Sequence, residues 1–178
     1  YLPNKALGDM LKTEQDHEAP PQLNDTKKQI CLIGIASALA HVHKANLMHR
    51  DIKPANILLD ENFYPKLCDF GLARTVEAQV EMTQRVGTPI YMAPELLDDK
   101  PNPYDSKSDV YSFGLTIYEL LTNTPPYYEY TSKRKKLIFY EFCRYVTKFG
   151  NRPTFEGTTI PPSLQKLLSQ CWDANSAA

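Results

Sequence analysis

No stretch of this sequence is an unbroken run of about eighteen apolar residues, the length a membrane-spanning helix requires. The opening YLPNKALGDM has neither the charged nor the apolar region of a signal peptide. These absences set the expectation of a soluble, cytoplasmic chain without a membrane segment. Charge of one sign is lacking too: 20 Lys and Arg face 21 Asp and Glu, for a formal charge of −1. Such a balance leaves no global field to draw the chain to nucleic acid or anionic lipid. Cysteine is sparse and scattered, at Cys31, Cys68, Cys143 and Cys171. It forms no CxxC or Cys/His ligand spacing, so the thiols are read as reduced and mostly buried. His41 and His43 are the only close histidine pair. Two residues apart on a helix, they point to different faces, which argues against a shared metal. Internal repeats and low-complexity tracts are absent as well.

What is present is ordinary globular material. The chain has 178 residues, 42% hydrophobic and 23% charged, enough to bury one core without disulfides or metal. Residues 2 to 11 read as a short helix, and KTEQDHEAPPQLND reads as an exposed polar loop broken by Pro20-Pro21. Asn24 or Asp25 is placed to N-cap a helix from about Thr26 to Asn46. Ile30, Ile33, Ser37 and Ala40 lie on one side of it, with Leu32, Ile35, Ala36 and Leu39 widening the apolar surface. LMH, NILLD and YPKLCDF are short apolar runs of strand length. SDVYSFGLTIYELLT, from Ser108 to Thr122, is apolar nearly all round and predicts a helix through the middle of a core. Further helices are expected from Lys135 to Lys148 and in PPSLQKLLSQCW. The basic run KRKK, Lys133 to Lys136, is read as a solvated helix start rather than a docking patch.

One short segment does not fit a purely structural reading. HRDIKPAN, His49 to Asn56, sets a carboxylate (Asp51), a lysine (Lys53) and a carboxamide (Asn56) beside a proline that stops any helix. Phosphoryl transfer needs a positioned hydroxyl, a cation to neutralise phosphate oxygens, and oxygen ligands that hold magnesium. Asp69 lies eighteen residues after Asp51, and the two short strands between them predict a hairpin that brings Asp51, Asn56 and Asp69 to one edge. Each triplet alone is weak, HRD and DFG included. Here HRDIKPAN, DFG (69–71), GTPIYMAPE (87–95) and SDVYSFG (108–114) occur in order and at workable spacing.

In that set the chain resembles the protein kinase family. The resemblance implies an α+β, mainly helical fold, about six helices with short β-strand pairs at the catalytic loop, as in the large C-terminal lobe of those enzymes. It implies ATP and Mg2+ as cofactors, protein substrates, and transfer of the γ-phosphate to serine or threonine. Asp51 matches the base that accepts or orients the substrate hydroxyl proton, and Lys53 the lysine on the γ-phosphate. Asn56 and Asp69 match the magnesium ligands. Leu58 matches the residue under the adenine ring, and the backbone around Leu2 the hinge that bonds adenine. Thr88 matches the threonine that bonds the catalytic Asp and Lys. Arg50 is similar to the arginine that receives an activation-segment phosphate, with Thr75 or Thr83 as its carrier. The plainer alternatives are a structural ion-pair arginine and solvated loop threonines. Asp109 matches an acid that accepts hydrogen bonds from catalytic-loop amides, and Cys68 is read as a buried, inert thiol beside the site. YMAPELL, DVYSFGLTIYELLTNTPPY and IPPSLQKLLSQCW look most like the tyrosine-kinase-like branch of serine/threonine kinases.

The pattern departs from the family in two ways. No GxGxxG occurs and Gly8 is isolated, so the expectation is a partial kinase domain over residues 1–178. It would run from the hinge to the penultimate helix of the large lobe, with the small lobe and the last segment outside it, and be inactive by itself. The second departure concerns Glu95, expected to be largely buried with no partner, at a cost of several kcal/mol, on the order of that for a broken buried pair. A non-catalytic docking module and an inactive pseudokinase stand as alternatives, the latter disfavoured by intact Asp51, Asn56 and Asp69. Nothing in the sequence fixes the oligomeric state.

Overall fold

The computed structural model describes residues 6–16, 23–75, 88–98, 104–133 and 138–173. Among these are seven α-helices: α1 (Leu7–Gln15), α2 (Asp25–Lys44), α3 (Pro94–Leu97), α4 (Ser106–Thr122), α5 (Tyr128–Thr131), α6 (Phe139–Thr147) and α7 (Pro162–Cys171). Four short strands, β1 (Leu47–Met48), β2 (Ile57–Leu59), β3 (Pro65–Leu67) and β4 (Arg74–Thr75), form two antiparallel pairs, β1 with β4 and β2 with β3. The architecture is α+β and mainly helical, with the strand pairs flanking HRDIKPAN as expected.

The helix starts follow local chemistry. The Asn24 side chain accepts from the Lys27 amide and caps α2, and Asp105 accepts from the amides of Lys107 and Ser108 and caps α4. α4 ends where Asn123 turns left-handed, at φ 53°. Its flanks are buried almost throughout: Tyr111, Phe113, Leu115, Ile117, Tyr118 and Leu120 all belong to the core. α7 and α2 pack on it. At the α7 contact Gly114 is needed for close approach, since a Cβ there would lie 2.6 Å from the Cys171 Cβ.

Several boundaries and faces differ from the sequence reading. α1 runs on to Gln15, through residues whose charge reads as loop. Glu14 is buried there, its carboxylate accepting the Leu23 amide at 3.4 Å, and residues 17–22 of the expected loop lie outside the described residues. On α2 the buried side chains are Cys31, Ile35, Leu39 and Val42, while Ile33 is 66% exposed and Ser37 and Ala40 face solvent. Apolar residues wrap most of α2, so their spacing does not single out one stripe. The stripe is chosen by what packs there, with Gly34 set against Pro65 of β3. α6 starts at Phe139; residues 135–137 of the expected helix, and all of the KRKK run but Lys133, lie outside the described residues. Cys31 and Cys143 are buried and Cys68 and Cys171 half-buried, all four as free thiols. No helix among the described residues is long and apolar enough to cross a membrane.

Candidate active site

The loop after β1 carries the site because two longer-range contacts pin it. Asp109, fully buried in the first turn of α4, accepts the His49 amide at Oδ2 and the Arg50 amide at Oδ1, each at 2.9 Å. The same carboxylate takes His43 Nε2 at 2.8 Å and the Tyr104 hydroxyl at 2.6 Å. Burial pushes this carboxyl up, but the hydrogen bonds from His43, Tyr104, Arg50 and His49 outweigh it and hold it below the ordinary aspartate value. The second contact is the His49 ring. Its Nδ1 accepts the Asp51 amide at 3.3 Å, and its Nε2 lies 2.9 Å from the Cys68 carbonyl. A carbonyl can only accept, so the ring is the Nε2–H tautomer. Phe70 packs edge-on against the same ring at 4.8 Å.

Asp51 is the centre of a four-residue cluster. Its Oδ2 receives Lys53 Nζ at 2.6 Å and Asn56 Nδ2 at 2.9 Å. Its Oδ1 receives the Thr88 amide at 3.2 Å and the Thr88 hydroxyl at 3.3 Å. Lys53 also donates to Thr88 Oγ1 at 2.8 Å, so loop and GTPIYMAPE segment are tied together. That segment is anchored on α4 in turn: the Ser112 hydroxyl donates to the Tyr91 carbonyl at 2.8 Å, and the Tyr91 hydroxyl to Glu119 Oε2 at 2.5 Å. Burial of Glu119 raises its carboxyl above the ordinary value despite bonds from Tyr91 and Gln15.

The β2–β3 hairpin does what the spacing predicts. Ile57 pairs with Leu67, and one step further the Cys68 amide donates to the Asn56 carbonyl at 3.0 Å. Asp69 therefore follows directly from the residue paired with Asn56. It adopts the left-handed conformation, φ 61° and ψ 62°, with its carboxylate accepting the Gly71 amide at 3.4 Å. A non-glycine residue there costs about 1–3 kcal/mol and turns the side chain out of the strand line.

The donor set suits a hard divalent cation. Buried Asn56 donates twice from Nδ2, to the Asp51 carbonyl at 2.8 Å and to Asp51 Oδ2. Both partners are acceptors, so the amide orientation is fixed and the Asn56 Oδ1 is left as an oxygen ligand. Asp69 is exposed and adds a carboxylate. No three His, Cys, Asp or Glu side chains gather among the described residues. Two oxygen side chains with water and phosphate suit magnesium, which keeps much of its hydration. Leu58, half-buried, forms a bridge with Ala6. Cys68 is pushed up by burial and by the neighbouring Asp69 charge, which keeps it a thiol.

The remaining expected residues fall out unevenly. Leu2 and Thr83 lie outside the described residues, and Thr75 is described only as the β4 residue paired with Leu47. Arg50 is buried, with its guanidinium 4.9 Å over the Tyr104 ring. Glu95 corrects the expectation of a partnerless acid: it is half-buried, and the Ser108 hydroxyl donates to its Oε1 at 2.7 Å. Arg152 donates to the carbonyls of Trp172, Val146 and Asn151. Reading His43 only as a possible metal partner of His41 misses its bond to Asp109, and Tyr104 carries no sequence signal beyond lying five residues before that acid.

All 178 residues match the model of the protein kinase domain family. The serine/threonine-protein kinase STY46 of Arabidopsis thaliana is 35% identical over 176 residues, 99% of this chain and 28% of its own length. The dual specificity protein kinase shkB of Dictyostelium discoideum is 38% identical over 134 residues, 74% of this chain and 19% of its own. A protein kinase and PP2C-like domain-containing protein of A. thaliana is 37% identical over 175 residues, 83% of this chain and 26% of its own. The chain thus spans less than a third of the length of each of these relatives. A likeness that runs through every residue, and through the loop whose geometry is described above, leaves one conclusion: this chain belongs to the protein kinase domain family.

Proposed function

We propose that this chain is the large catalytic lobe of a cytoplasmic protein serine/threonine kinase of the tyrosine-kinase-like branch, and that the protein carrying it transfers the γ-phosphate of MgATP to protein hydroxyls. The observation that carries the proposal is the cluster on Asp51. The two bonds at Oδ2, 2.6 and 2.9 Å, anchor the carboxylate, whereas those at Oδ1, 3.2 and 3.3 Å, are long and weak. Oδ1 is therefore the oxygen that a substrate hydroxyl can reach by displacing Thr88, and the atom that orients the hydroxyl and takes its proton. Lys53 spends two N–H bonds on Asp51 and Thr88, and its third is free for a phosphate oxygen.

Asn56 and Asp69 would hold the metal that, when bound, neutralises the phosphate oxygens. Leu58 and the segment around Leu2 are assigned to the adenine, and Arg50 with Thr75 or Thr83 to regulation by phosphate. Lys53 and its bond to Thr88 favour serine and threonine substrates, and one relative is itself named as dual specificity. Serine, threonine and tyrosine peptides should therefore be compared directly. In the protein that carries this chain, Asp51→Asn should lower transfer by about 10²- to 10⁴-fold, the usual worth of a positioned base. Wild-type turnover in that variant would remove Asp51 from the role.

A further inference from the structure

Asp109 has a full set of donors. His43 Nε2 and the His49 amide meet Oδ2, and the Arg50 amide and the Tyr104 hydroxyl meet Oδ1. Two of the four come from the catalytic loop itself. Tyr104, just before α4, touches Arg50 twice over. Its hydroxyl shares Oδ1 with the Arg50 amide, and its ring lies 4.9 Å beneath the Arg50 guanidinium. Arg50 needs such help at both ends. Its main chain is left-handed, at φ 72°, and its buried Nε has no hydrogen-bond partner among the described residues. Burial and the Asp109 charge push the Tyr104 hydroxyl well above the ordinary phenol range, so it remains a donor.

We propose that Tyr104 is a positioning residue of the phosphoryl-transfer site: it holds Arg50 by main chain, through Asp109, and by guanidinium, through its ring, and so fixes where the next residue, Asp51, presents its carboxylate. A tyrosine that merely filled the core, 5% exposed as this one is, would be replaced by phenylalanine without consequence for the loop. The effect on turnover rests on the kinase reading; the effect on the loop does not.

Amide hydrogen exchange by NMR on the chain separates the two. Tyr104→Phe keeps the ring and loses the hydroxyl. Exchange at the His49 and Arg50 amides should then rise about tenfold or more, the worth of a hydrogen bond to a charged acceptor. Amides of Leu115, Ile117 and Leu120 in α4 should keep wild-type protection. The Arg50 Nε–H resonance, shifted by the ring beneath it, should persist in Tyr104→Phe and move in Tyr104→Leu. Uniform acceleration across the molecule, or unchanged exchange at His49 and Arg50, overturns the proposal. Wild-type protein gives a check that needs no variant: a slowly exchanging Tyr104 hydroxyl proton with a nuclear Overhauser contact to the Arg50 amide, whose absence also overturns it. In the full protein, Tyr104→Phe should lower kcat about tenfold with KM for MgATP unchanged, and an unaltered kcat refutes the positioning role. Absence of Asp51-dependent transfer in the wild type would instead sink the kinase reading and leave the exchange result standing.

Discussion

Replacing Asp109 by asparagine tests the main support of the loop that carries Asp51. The wild-type carboxylate divides four donors evenly between its two oxygens. An amide has only one acceptor oxygen, so whichever way it is turned, its NH2 opposes the backbone N–H of either His49 or Arg50, while the neighbouring His43 ring or Tyr104 hydroxyl can turn to accept from it. One hydrogen bond to a charged acceptor is lost, at about 1.5–3 kcal/mol, and the two kept on the amide oxygen weaken from charged to neutral by about 1 kcal/mol each, for about 3.5–5 kcal/mol together. That is a large share of the about 5–15 kcal/mol that stabilises a domain. With an m value of about 2 kcal/mol per molar, the urea midpoint at pH 7 should fall by about 1.5 M or more.

Acid gives the same test an independent sign. The folded carboxyl sits below its ordinary value of 3.8, so its contribution is fully present above that value and is lost as pH falls through the folded one. The wild-type midpoint should therefore drop below about pH 4, and the gap to Asp109→Asn should narrow there. Equal midpoints at pH 7, or a gap that does not narrow on acidification, would refute the account of Asp109 as a charged, fully bonded hub.

Gly34→Ala places a Cβ 2.5 Å from Pro65 Cγ and 2.8 Å from its Cδ, a clash with a rigid ring. It should cost about 1–3 kcal/mol in urea denaturation, and an unchanged midpoint would show that α2 and β3 can move apart freely. Truncating Ile35, which is 1% exposed, to alanine should cost about 2–5 kcal/mol. The same change at Ile33 should stay within about 0.5 kcal/mol, and a reversed order would mean that the buried stripe of α2 has been misassigned. Burial raises Cys31 and Cys171 to about 11, and burial with Asp69 raises Cys68. All three should alkylate more slowly than free cysteine at neutral pH and reach its rate in urea; fast labelling of folded Cys68 would contradict its reading as an inert thiol.

Much of this molecule is written in local signals. Asn24 caps α2 because a side-chain oxygen within reach of the first free amides works in any context. The near-uniform apolar run of α4 can only be satisfied inside a core, and the short runs ILL and PKL on either side of a turn make the β2–β3 hairpin. Asp51, Lys53, Asn56 and Asp69 were legible for a related reason: the loop and the hairpin are short, so sequence spacing nearly fixes spatial spacing. Other features depended on partners far along the chain. Wrapped in apolar residues, α2 could not announce that Ile35 goes in and Ile33 stays out, because that choice belongs to Pro65 and the helices packed on it. The β1–β4 pairing, the Ser108 bond to Glu95, and the gathering of His43 and Tyr104 on Asp109 join residues that no periodicity connects. Sequence by itself thus determined the longer helices, the β2–β3 hairpin and the family. Tertiary structure alone decided which face each helix buries and which donors complete the buried carboxylate, because a buried polar group takes whatever partner the folded chain brings within about 3 Å.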